Sequence, residues 1–153
     1  MISCEIFTKC LPHTCSLSPG VAGIPELTWQ DVLAGLQGIA PAHEGFIRYV
    51  YMDDPAGHHD FFAGLMIEAC SREDVQRWAK HHPKQIENLA LFAIREWRYG
   101  QRHKYNDVSR AYAYGVSRFK WCKHYKNIYR SIVGIPVTWE DQVIQDLARW
   151  LKK

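Results

Sequence analysis

The apolar residues of this sequence recur at helical spacing, and that spacing constrains the fold more than any other feature. From Pro83 to Tyr99 they fall three or four positions apart and share one face: Ile86, Leu89, Ala90, Ala93, Ile94 and Trp97. Gly100 follows, as is common after a helix C-terminus. The alternation of apolar and polar residues that is typical of a β-strand does not continue for long anywhere in the chain. We therefore predict an all-α fold, a multi-helix domain.

Three more helix starts are indicated by a hydroxyl residue followed three positions later by a carboxylate. The pairs are Thr28 with Asp31, Ser71 with Asp74, and Thr138 with Asp141. The last pair predicts a final helix, Trp139–Leu151, whose apolar stripe packs on the protein's own core or, alternatively, forms a dimer seam. Residues 1–25 show no sustained period, so we expect a loosely ordered N-terminal arm followed by one all-α domain over residues 26–153.

Several classes of protein are not expected from this sequence. It contains no apolar run near the roughly 20 residues that cross a bilayer, and its first residues lack the pattern of a signal peptide. The five cysteines are therefore expected to be reduced thiols of a cytoplasmic protein. The ligand types at Cys4, Cys10, His13 and Cys15 do not have the paired spacing of a structural zinc site. We expect no metal, no cofactor and no enzymatic activity.

The charges are divided unequally along the chain. Residues 1–83 carry 5 basic and 10 acidic side chains, a local net charge of −5, whereas residues 84–153 carry 14 basic and 6 acidic side chains, a local net charge of +8. A basic half attracts a polyanion such as nucleic acid. A solvated basic face without a ligand is the alternative explanation.

The segment Asp107 to Lys126 has the residues that a helix-turn-helix requires at its turn. Such a motif needs a small residue where its two helices cross, a residue that tolerates positive φ in the turn, and an apolar residue after it. Ala111, Gly115 and Val116 occupy these positions. Arg110 departs from the pattern, because the residue before the small position is usually apolar. An ordinary helical hairpin with a glycine turn remains the alternative.

The second helix of this segment predicts a DNA-reading surface. Ser117 is a preferred N-cap, and Trp121 and Tyr125 fall on the inward face. Arginine and lysine at the start of such a helix reach phosphates and guanine edges. Together with the basic residues upstream, the predicted DNA-binding residues are Arg102, Lys104, Ser117, Arg118, Phe119, Lys120, Lys123 and Lys126.

These residues also carry a family resemblance. The run from Trp97 to Tyr105 leads into Asp107-Val108-Ser109 and then into Gly115-Val116-Ser117-Arg118, before a short helix that carries Trp121. Over residues 84–130 the sequence resembles the C-terminal half of the bacteriophage late-gene antitermination proteins called Q, and of related phage regulators with a sigma-like helix-turn-helix. Some members carry a zinc-binding insert with paired cysteines, and this sequence has no C-x2-C pair.

The resemblance implies a function and partners. The protein would bind double-stranded DNA near a phage late promoter in the cytoplasm of the bacterial host. It would then load onto paused bacterial RNA polymerase holoenzyme and allow read-through of terminators. A homodimer, formed through the apolar stripe of the final helix, remains an alternative that does not depend on the resemblance. Two other functions remain as alternatives: an ordinary helix-turn-helix repressor or activator, and a phage protein that inhibits a host protein.

Overall fold

The computed structural model describes residues 34–100 and 106–151. All regular secondary structure in these two ranges is helical, which confirms the predicted all-α, multi-helix fold. Within the same ranges, no helix combines the length and the hydrophobicity needed to cross a lipid bilayer. The predicted arm, its four candidate ligands and the helix start at Thr28 lie outside the described residues.

The helices follow one another with short connections. The first part of the chain forms α1 (Pro41–Tyr51), a 3-10 turn (Pro55–Gly57), α2 (His58–Ser71), α3 (Glu73–His81) and α4 (Gln85–Tyr99). The second part forms α5 (Asp107–Tyr114), α6 (Arg118–Lys120), a π turn (Trp121–Tyr125), α7 (Lys126–Val133) and α8 (Ile135–Leu151). The helical backbone of α6, the π turn and α7 runs on without interruption.

Helix α4 matches its prediction closely. All six apolar residues expected to share one face are buried, and Gly100 ends the helix in the left-handed conformation with φ of 63°. The helix begins at Gln85, two residues later than predicted, because Pro83 lies in the turn that precedes it. Its buried stripe packs α4 against α1, α2 and α7.

Two of the predicted helix starts are wrong. Ser71 is the last residue of α2, and its hydroxyl donates to the Glu68 carbonyl at 2.6 Å instead of capping α3. Thr138 lies inside α8, which begins at Ile135, and its hydroxyl donates to the Ile135 carbonyl at 2.8 Å. In both cases the hydroxyl bonds backward to its own helix, an alternative that short polar side chains always have.

Aromatic rings fill the core between α1, α2, α4 and α8. Phe46 lies at the centre, with its ring 5.1 Å from that of Phe61, 5.3 Å from that of Trp97 and 6.2 Å from that of Trp139. The indole N–H of Trp97 donates to the Val133 carbonyl at 2.9 Å, so this large ring is buried without losing its hydrogen bond. Trp139, Val143 and Leu147 of α8 are buried, so the apolar stripe of this helix packs on the protein's own core, as expected.

Helices α1 and α2 approach each other through glycine. A Cβ atom on Gly45 would lie 2.7 Å from the carbonyl oxygen of Gly57 and 2.9 Å from the backbone nitrogen of Phe61. These neighbours are backbone atoms, which cannot move aside as the end of a side chain can. The absence of a side chain at Gly45 therefore sets the distance between the two helices.

Gly45→Ala should destabilise the fold by about 1–3 kcal/mol, because the added methyl group overpacks a site bounded by backbone. Urea unfolding measures the change. Gly38→Ala is the matched control, since a Cβ on Gly38 meets nothing within 4 Å. Equal unfolding free energies for the two variants would mean that the helices separate at little cost, contrary to the packing described.

Candidate nucleic-acid interface

The turn between α5 and α6 has the conformation that the sequence predicts. Gly115 has φ of 90°, in the left-handed region that favours glycine. The backbone N–H of Val116 donates to the Ala111 carbonyl at 3.0 Å, and the N–H of Gly115 donates to the Tyr112 carbonyl at 3.1 Å. These two bonds form a Schellman motif, which satisfies the last carbonyls of α5 and redirects the chain.

Both helices of this segment begin with a capping side chain. At α5, the side-chain oxygen of Asn106 accepts from the N–H of Ser109 at 2.9 Å. At α6, Ser117 has extended backbone and its hydroxyl oxygen accepts from the N–H of Lys120 at 3.1 Å, which confirms it as the predicted N-cap. The start of the second helix is therefore fixed at Arg118 by local interactions.

The inward face of the segment is also as predicted. Ala111, Trp121 and Tyr125 are buried, and Val116 packs half-buried against the same core. The rings of Trp121 and Tyr125 stack at an interplanar angle of 22°. Trp121 packs on Phe92 of α4, and Tyr125 packs on Trp78 of α3 and Tyr114 of α5. These two aromatic anchors hold the second helix on the core, so that its other face is left to solvent.

That solvent-facing side carries most of the predicted DNA-binding residues. Arg118, Phe119, Lys120 and Lys123 are all exposed, as is Ser117 at the cap. Phe119 is 72% exposed, which is unusual for so large an apolar ring, and the Lys123 ammonium lies 5.4 Å from its centroid. Within the described residues, none of the three cations forms an ion pair with a carboxylate.

Lys126 has a different environment from the other predicted cations. It is half-buried, and its ammonium donates to the Asp107 carboxylate at 2.7 Å, which joins α7 to the first turn of α5. The hydrogen bond from Lys126 holds the pKa of the Asp107 carboxyl below its usual range. Lys126 is thus engaged within the fold. Arg102 and Lys104 lie outside the described residues.

Arg110, the residue that departs from the usual pattern, points inward. Its guanidinium Nε donates to the Glu96 carboxylate of α4 at 3.1 Å, and its Cζ lies 5.7 Å from the ring centroid of Tyr129 on α7. Glu96 is only 1% exposed. Burial, and next the Glu96 carboxylate, raise the pKa of the Tyr129 phenol, which therefore stays protonated. A charged pair occupies the place that an apolar contact usually takes.

Arg95 is not among the predicted DNA-binding residues, although it begins the basic stretch that ends at Arg130. It is exposed on α4 and lines a groove of about 450 Å³ together with Lys120 of the second helix. The spacing of the sequence could have indicated its role. Asn88 follows Gln85 by three positions and Arg95 follows Asn88 by seven, and this helical spacing places the three polar residues in one stripe along α4. That stripe faces the turn at Gly115 across the groove.

The Asp107–Lys126 pair should make stability depend on acid. The folded-state pKa of Asp107 lies below its ordinary value of 3.8, so the pair stabilises the fold above that value and loses its effect as the pH falls through the folded-state pKa. Urea unfolding between about pH 6 and pH 2 should show a steeper acid loss for the wild type than for Asp107→Asn. Asp141→Asn, at an exposed position on α8, should keep the wild-type slope. Parallel curves for all three proteins would contradict the pairing.

Comparison of the chain with protein-family models, with curated proteins and with solved structures finds no match. Its function is therefore inferred from its own residues and their arrangement.

Proposed function

We propose that this protein binds double-stranded DNA through a helix-turn-helix formed by α5, the Gly115 turn and the helix that begins at Arg118. One observation carries the proposal. Arg118, Lys120 and Lys123 project into solvent from the first two turns of a capped helix, and they have no carboxylate partner among the described residues. The positive charge of this helix is complementary to the phosphates of DNA, and the major groove is wide enough to admit an α-helix.

Four of the exposed residues have a chemistry that suits a feature of the duplex. The guanidinium of Arg118 is suited to the two acceptors of a guanine edge, and the ammonium groups of Lys120 and Lys123 are suited to phosphates. The exposed ring of Phe119 is suited to the methyl group of thymine, which is the apolar feature of the major groove. This division of tasks gives the surface both affinity and sequence preference.

The contacts beneath the surface support the proposal because they hold it in one geometry. The Arg110–Glu96 pair fixes α5 on α4, and the Lys126–Asp107 pair fixes the far end of the second helix on α5. Interfaces whose backbone is already ordered lose less entropy on binding. No covalent chemistry is required of these residues, and we propose a binding protein rather than an enzyme.

The finer proposal is transcription antitermination, and it rests on the resemblance of residues 84–130 to the phage Q proteins. DNA and bacterial RNA polymerase holoenzyme would be the two partners, in the cytoplasm of the host. The basic half of the chain would bind DNA, and the acidic half, between Thr28 and Arg77, would contact polymerase. An ordinary repressor or activator would use the same DNA-binding surface without travelling with polymerase.

Lys123 and Lys126 should differ in their effect on DNA binding. Lys123→Ala should lower the slope of log affinity against log salt by about one for a random-sequence duplex, because one phosphate contact is lost. Lys126→Ala should change that slope less and lower the stability instead, since Lys126 is bound to Asp107. Arg149→Ala, at an exposed arginine on α8, is the control and should change neither. Affinity that hardly depends on salt would refute DNA binding by this surface.

Antitermination should fail when the DNA-reading helix is altered. In transcription in vitro with bacterial RNA polymerase, on a phage late-promoter template with a downstream terminator, the protein should increase read-through and Arg118→Ala should abolish the increase. The Arg118 side chain is exposed and pairs with no carboxylate in the described residues, so the variant should stay folded. A protein that changes initiation and never read-through would be an ordinary regulator.

A further inference from the structure

A groove runs between α4 and the turn of the proposed helix-turn-helix. Its volume is about 450 Å³, within the range of sites that bind small organic molecules. Along α4 it is lined by residues on one stripe: Gln85, Asn88, Leu91, Phe92 and Arg95. Gln85 and Arg95 are ten positions apart, or about 15 Å along the helix, so the groove is elongated.

The opposite wall comes from the turn and the start of the second helix. Ala113, Gly115 and Val116 line it, and Lys120 contributes a cation. At one end the Tyr114 hydroxyl donates to the Gln85 amide oxygen at 2.6 Å and joins the two walls. Burial raises the pKa of the Tyr114 phenol to about 12, so this donor stays protonated at neutral pH.

The lining has a consistent chemistry. Among the residues that the structure describes, it contains one cation on each wall, Arg95 and Lys120, and no carboxylate. Neither cation forms an ion pair within residues 34–100 and 106–151. Apart from Gln85 and Asn88, most of the other lining side chains are aliphatic or aromatic, and Leu91 is 43% exposed although it is a large aliphatic residue. Two unpaired cations beside the exposed side chain of Leu91 and the half-buried side chains of Phe92 and Val116 complement a ligand with an anionic group and an apolar part.

We propose that this groove binds a small organic anion with a planar apolar body, and that a bound anion excludes DNA. Its acidic group would lie between Arg95 and Lys120, and its body would cover Leu91, Phe92 and Val116. The exclusion follows from Lys120, which lines the groove and also belongs to the DNA-binding surface. This second part rests on the proposed function, because it requires that the surface bind DNA.

Binding of the anion can be measured without DNA. Isothermal titration with naphthoate, a planar aromatic carboxylate, should show one site per chain, and neutral naphthamide should bind about tenfold more weakly. Arg95→Ala should weaken naphthoate binding by a similar factor, Leu91→Gln should weaken both compounds, and Arg149→Ala should weaken neither. Circular dichroism checks that each variant is folded. Naphthoate that does not bind, or that binds Arg95→Ala as well as the wild type, would overturn the groove as an anion site.

The coupling to DNA is a separate measurement. Naphthoate at ten times its dissociation constant should raise the apparent Kd for a random-sequence duplex about tenfold, and the same concentration should raise it only about twofold for Arg95→Ala, which binds naphthoate more weakly. Naphthoate that binds the groove without changing DNA affinity would overturn the exclusion alone. If the chain binds naphthoate and no DNA, the proposed function fails while the anion site stands.

Measurements on the same variants would also reveal whether the groove is occupied by DNA or by a protein segment instead. If naphthoate does not bind and Arg95→Ala lowers the salt slope for DNA by about one, the groove belongs to the DNA surface. If naphthoate does not bind and a peptide of glutamate and leucine binds in an Arg95-dependent way, the groove takes a protein segment. Either result would replace the proposal.

Discussion

The arrangement of the candidate interface depends on a buried ion pair between two helices. Glu96 projects from α4 into a region where it is almost completely excluded from water, and Arg110 of α5 is its partner at 3.1 Å. Removing one member of such a pair leaves an uncompensated charge and costs about 3–5 kcal/mol. Tyr129 of α7 lies against the same guanidinium, so three helices meet at one charge-compensated point. The angle at which α5 leaves the core is thereby restricted.

The basic residues of this region fall into two groups, those that form ion pairs within the fold and those that do not. Arg98 is bound to Asp53, Arg110 to Glu96 and Lys126 to Asp107, and these cations hold helices together. Others, such as Arg118 and Lys123, are exposed and form no ion pair in the part of the chain that the structure describes. The excess of basic residues in the sequence therefore overstates the charge that is open to a partner. Its position, at the start of one helix, is more informative than its sum.

Much of the candidate interface could be predicted from the sequence because its determinants are local. The positive φ of Gly115, the cap at Ser117 and the inward positions of Trp121 and Tyr125 each depend on residues within one or two turns of helix. The fold class followed for the same reason, since helical periodicity is a property of neighbouring residues.

The remaining features depend on contacts between distant residues. The partner of Arg110 lies 14 positions away and that of Lys126 lies 19 positions away, so neither pairing has a spacing rule that would reveal it. The groove could not be predicted either, because one wall comes from α4 and the other from α5, the Gly115 turn and α6. The misplaced starts at Ser71 and Thr138 have another cause, because a hydroxyl can bond to its own helix as readily as it can cap the next.

The π turn at Trp121–Tyr125 has a consequence for how this surface can change. Its closing bond runs from the N–H of Lys126 to the Trp121 carbonyl, so the turn holds one residue more than a regular α-helical turn. The wide turn absorbs that extra residue locally, so the helix before it and the helix after it stay close to the phase of an uninterrupted α-helix. Deletion of a single residue there would therefore convert the turn to ordinary α-helix and leave the direction of Arg118 relative to α7 nearly unchanged. One codon lost from this turn would spare the exposed face, whereas one codon lost from the regular helix beside it would rotate that face by about 100°.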